Sequence, residues 1–88
     1  MKETESDKIW IELKNKPLNM YGMTDSVVEQ YVTRYVADDR TLLVKLKVSG
    51  AMAALGEVLG NKFSHELMPG GFVSIQRAGT DMSQAKRA

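Results

Sequence analysis

The sequence predicts an α+β domain of two layers (α/β two-layer), in the order strand-helix-strand-helix-strand, with two helices on one face of a small mixed sheet. Three observations carry this reading. Apolar residues alternate with polar ones in three stretches, they recur at helical spacing in two others, and Pro, Gly and Asp turn chemistry separates the five segments.

Taken in order, Ile9, Ile11 and Leu13 share one face of Ile9-Trp10-Ile11-Glu12-Leu13-Lys14 and Trp10, Glu12 and Lys14 the other, which predicts a strand. Pro17 lacks a backbone donor and ends it. Ser26 with Glu29 fits a capping box, and Val27, Val28, Tyr31, Val32, Tyr35 and Val36 form one stripe, so a helix is predicted over 25–37. Asp38-Asp39-Arg40 is a turn. Alternation resumes over 41–48 with Leu42, Val44, Leu46 and Val48 inward, a second strand. Met52, Ala53, Gly56, Leu59, Phe63 and Leu67 mark a second helix, in which Gly56 and Gly60 imply close packing. Met68-Pro69-Gly70-Gly71 ends that helix, and Phe72 to Arg77 forms a third strand. The domain then spans 8–77, with a polar N-terminal tail over 1–7 and a flexible basic tail over 78–88.

A chain of 88 residues holds one small domain, which excludes a two-domain enzyme. Cysteine is absent, so disulfides, thiolate metal sites and thiol nucleophiles are excluded together. A single histidine, His65, cannot complete a structural zinc site, and no triad or phosphate loop surrounds it; it reads as an exposed helix residue beside Glu66. Asp38 and Asp39 lie in a turn, where Asp is favoured for backbone reasons. No catalytic function, metal, cofactor or small-molecule substrate is expected. The polar opening lacks the apolar run of a signal peptide, and no stretch approaches the roughly 18 apolar residues of a membrane span, so a cytoplasmic chain is expected.

The net charge of +1 does not by itself announce nucleic-acid binding, but charge is unevenly placed. Lys8, Lys14 and Lys16 cluster near the first apolar segment, Arg40, Lys45 and Lys47 near the second strand, and Arg77, Lys86 and Arg87 at the end. Helices on one face leave the other sheet face uncovered, where the alternation places Trp10, Lys14, Leu43, Lys45 and Lys47. An indole and a leucine among lysines suit either a subunit interface or a base-stacking surface.

Two stretches resemble the Alba family of small dimeric nucleic-acid-binding proteins. Lys14-Asn15-Lys16-Pro17-Leu18-Asn19-Met20-Tyr21 is similar to the family's Lys-Lys-Pro-x-x-x-Tyr segment, and Val44 to Ala53, running on to Met68-Pro69-Gly70, is similar to its second strand and second helix. The resemblance implies a homodimer that contacts DNA or RNA phosphates through Lys14, Lys16, Lys45, Lys47, Arg77, Lys86 and Arg87, with Trp10 available for stacking. Binding of this kind is sequence-tolerant, and a DNA-bound form would be nucleoid-associated. The alternative is a protein-interaction or assembly module of the same fold. Ser49 and Ala51, standing where the family commonly has arginine, and the near-zero net charge point to it.

Overall fold

In the computed structural model, which describes residues 2–16 and 27–78, the chain opens with a helix where alternation predicts a strand. Helix α1 spans Glu5–Lys14. A capping box fixes its start: the Thr4 hydroxyl accepts from the Asp7 amide, and the Asp7 carboxylate accepts from the Thr4 amide. Glu5 and Asp7 lie in its first turn and Lys14 in its last, the charge order that the helix dipole favours. Ser6, Ile9, Trp10 and Leu13 recur at i, i+3, i+4 and i+7 and are buried, whereas Ile11 is 41% exposed. Glu5, Ser6 and Asp7, predicted as part of a polar tail, therefore belong to the helix. The Ser6 amide donates to the Asp39 carbonyl and the Ser6 hydroxyl to the Asp38 carbonyl, which ties the helix start to the loop after the first strand.

The predicted helix over 25–37 is replaced, within its described residues, by a single turn and a strand. Turn α2 (Val28–Tyr31) leads directly into β1 (Val32–Val36). Val32, Tyr35 and Val36 do fit a helical stripe, but Val32-Thr33-Arg34-Tyr35-Val36 is rich in β-branched and aromatic residues, which pack well on a pleated surface. Pairing with the next strand decides the outcome. Strand β2 (Leu42–Leu46) runs antiparallel to β1, with Val32 opposite Leu46 and Val36 opposite Leu42. Here alternation read the chain correctly: Leu42 and Val44 are buried and Leu46 partly so, while Val48 lies past the strand end and is exposed.

Helix α3 (Ala51–Leu59) stops at Gly60, well before the predicted end. It buries Ala51, Leu55, Val58 and Leu59 rather than the stripe that included Ala53 and Gly56. Phe63 and Leu67 belong to strand β3 (Phe63–Met68), so His65 is an exposed strand residue and not a helical one. A 3₁₀ turn at Pro69–Gly71, with Gly70 and Gly71 at φ 83° and 82°, returns the chain into β4 (Phe72–Arg77). Met68 stands opposite Phe72, and His65 opposite Ile75.

The sheet order is β1-β2-β4-β3 and every neighbouring pair is antiparallel, so the sheet is not mixed. The fold class is α+β, but the order is helix-helix-strand-strand-helix-strand-strand. The two outer strands of the β2-β4-β3 trio run the same way, joined by α3 with β4 between them. One face of the sheet supplies Val32, Leu42, Val44, Val73, Ile75 and Phe63 to a single core with Ile9, Trp10 and Leu13 of α1 and Leu55, Val58 and Leu59 of α3. Both longer helices thus lie on one face, as the sequence predicts.

Two glycines of the α3 region differ in what they do. A Cβ at Gly56 would meet nothing within 4 Å, so this glycine serves no close approach. Gly60 (φ 56°, ψ −138°) lies in a backbone region that other residues rarely adopt, and it terminates the helix by donating to the Gly56 carbonyl. Gly56→Ala should therefore stabilise the fold by up to about 1 kcal/mol in urea unfolding, through helix propensity. Gly60→Ala should destabilise it in the same assay.

Candidate functional site

The register assigns every strand residue to a face. Thr33, Tyr35, Leu43, Lys45, Phe72, Ser74, Gln76, Ser64, Glu66 and Met68 alternate with the core residues and point away from the helices. Nothing among the described elements covers this outer face. Its centre is apolar and aromatic: Tyr35, 46% exposed, meets the Phe72 ring edge-to-face at 5.7 Å between centroids. The Lys45 ammonium sits 5.1 Å from the Phe72 ring centre on the adjoining strand. Gln76 closes one end by donating to the Thr41 hydroxyl at 2.7 Å.

The described members of the predicted nucleic-acid set do not converge on this face. Trp10 is a core residue, 6% exposed, with the Arg34 guanidinium 5.8 Å from its ring centre, because its segment is helical. Lys14, at the end of the same helix, pairs with Glu29 at 3.3 Å. Lys16 follows α1 at the surface with its ammonium beside Gly60, in the helix layer. Lys47 lies just past β2 and donates from its ammonium to the Glu29 carbonyl at 2.8 Å. Arg77 emerges on the helix-covered face and binds the Glu5 and Glu12 carboxylates of α1. Among the described members of the predicted set, Lys45 alone stands on the uncovered face, with Leu43. Lys86 and Arg87 lie outside the described residues, as does the Pro17 to Tyr21 part of the first Alba-like stretch. The Lys14 and Lys16 of that stretch sit at and just after the end of a helix rather than after a strand.

Sequence reasoning missed Tyr35 and Phe72 as members of the face. The signal was present at Phe72, which opens a correctly read strand in phase with Ser74 and Gln76. Tyr35 was hidden by its fit to a helical stripe.

The helix layer is held by ion pairs that use up basic charge. Arg34 on β1 binds Asp7, and Arg77 on β4 binds Glu5 and Glu12, so α1 is anchored to the sheet by two arginines on different strands. The Thr4 amide, then Arg34 and the Thr4 hydroxyl hold the Asp7 carboxyl below its ordinary value. Glu12 is lowered by its hydrogen bond from Arg77, and Asp38 by the amides of Arg40 and Thr41, each donating at 2.8 Å. Arg77 is raised in turn, first by Glu12 and then by Glu5.

Among the described residues no cluster of His, Asp and Glu is placed to hold a metal ion, and no helix is long and apolar enough to cross a membrane. No family model, curated protein or solved structure matches the chain.

The lowered carboxylates set the sign of the pH dependence. Their folded-state values lie below the unfolded ones, so their stabilisation is present above the ordinary carboxylate range and lost as pH falls through the lowered values. The urea midpoint should therefore drop on acidification below about pH 4. Arg77→Gln, which removes the partner of Glu12, should lower the neutral-pH midpoint and flatten that slope.

Proposed function

We propose that the chain is a binding module without catalytic activity, an assembly domain that docks a protein partner on the uncovered face of its sheet. One observation carries the reading: the face is centred on Tyr35, Leu43, Phe72 and Met68, and Lys45 and Glu66 are its only charged strand residues, of opposite sign. A phosphate-binding surface needs an excess of cations, and nucleic-acid affinity comes largely from releasing counterions. Here Lys14, Arg34 and Arg77 are already neutralised by carboxylates of their own chain. Interface cores, by contrast, favour aromatic residues and Met and are depleted in charge.

A second reading keeps nucleic acid as the partner, in a sequence-tolerant mode, and one observation favours it. Exposed Tyr35 beside Phe72, with the Lys45 ammonium over the Phe72 ring, is a combination that also suits stacked bases and a neighbouring phosphate. The two readings separate by salt, since phosphate contacts weaken steeply with ionic strength.

Anisotropy titrations of labelled single-stranded DNA, single-stranded RNA and duplex DNA at low and high salt test the choice, together with protein capture from cell extract by wild type and Tyr35→Ser/Phe72→Ser. The assembly reading predicts no salt-sensitive nucleic-acid binding, and capture that the double variant loses. Nucleic-acid binding that collapses with salt and is removed by Lys45→Glu would contradict it.

A further inference from the structure

We propose that the occupant of the uncovered face is a second copy of this chain, packed sheet to sheet about a two-fold axis that lies over β4. The proposal rests on the docking reading above and names the partner.

A two-fold interface is isologous, so a residue at one position must be complementary to whatever the rotation brings opposite it. The face satisfies this condition with its only charged strand residues. Lys45 lies on β2 in the row Thr33-Lys45-Phe72-Met68, and Glu66 lies on β3 in the next row, Tyr35-Leu43-Ser74-Glu66. Strand β4 runs between them. An axis in the plane of contact, crossing β4 between Phe72 and Ser74, exchanges the two positions: each Lys45 meets the partner's Glu66. Neither residue is in an ion pair of its own chain among the described residues, unlike Lys14, Arg34 and Arg77.

The same rotation treats the other face residues consistently. It brings Tyr35 opposite the partner's Gln76, whose amide nitrogen already donates to Thr41 and whose carbonyl oxygen is left to accept from a phenol. Phe72 lies near the axis, so the two rings and the flanking Met68 side chains meet at the centre. An apolar centre with polar pairs around it is the ordinary anatomy of a specific interface.

Four strands of five or six residues present only about 350 Å² of planar sheet per copy, from strand spacing and rise. This is small for a stable interface, so association is weak and concentration-dependent.

Sedimentation velocity of the full chain across a wide concentration range tests the proposal with wild type, Lys45→Glu, Glu66→Lys and the double exchange Lys45→Glu/Glu66→Lys. Wild type should pass from monomer to dimer as concentration rises. Each single variant places like charges opposite each other and should weaken association at least about tenfold. The double exchange should restore it to near the wild-type value, which a folding defect could not do. A monomer at every concentration, single variants that associate like wild type, or a double exchange as impaired as the singles would each overturn the proposal. A monomeric wild type that still captures protein through Tyr35 and Phe72 removes the second copy but leaves the docking reading. Salt-driven nucleic-acid binding removes the docking reading itself.

Discussion

The structure depends on α1 lying across the middle of the sheet. Ile9 and Leu13, fully buried, pack into the same core as Leu42, Val44, Val73 and Ile75 of β2 and β4, the two central strands. Burying each such side chain contributes about 1.5–3 kcal/mol. Everything at the N-terminal end serves to hold it: the Thr4 capping box, the bonds of Ser6 to the β1–β2 loop, and the arginines from β1 and β4 that grip the acids of α1.

That placement has an electrostatic consequence for function. The arginines that would enrich a phosphate surface, Arg34 and Arg77, emerge on the helix side and pair with Asp7, Glu5 and Glu12. Solvent-screened pairs of this kind contribute little stability individually, so their main effect is orientation of the helix. What remains on the outer face is nearly neutral and aromatic. The separation of charge from the uncovered face is what directs the functional reading toward a protein partner.

The α+β class, the one-sided helix layer and the strands at 42–46 and 72–77 were legible in the sequence because they rest on alternation bounded by turns. The first segment was not. Ile9-Trp10-Ile11-Glu12-Leu13 satisfies period two and period 3.6 at once, and only Thr4 with Asp7, a capping pair placed before the apolar run, tells them apart. The 32–36 segment failed in the opposite sense: a helical stripe was overridden by pairing with β2, a contact no local window contains. Strand β3 was concealed because the turn at Gly60-Asn61-Lys62 was read through as helix. The site inherited these errors. Lys45 and Leu43 stood on correctly read β2 and were placed correctly, whereas Trp10 and Lys14 moved to the helix layer with their segment.

The central claim is that the face bearing Tyr35, Leu43, Phe72 and Met68 is open in the isolated chain and closes on a second copy of it. Side-chain NMR with a soluble paramagnetic agent, recorded on dilute and on concentrated protein, reads this directly. The account predicts strong relaxation enhancement at all four residues in dilute solution, lost at high concentration while exposed Ile11 and Val48 stay enhanced. Enhancement at the four that does not change with concentration, or protection already complete at dilution, would contradict it.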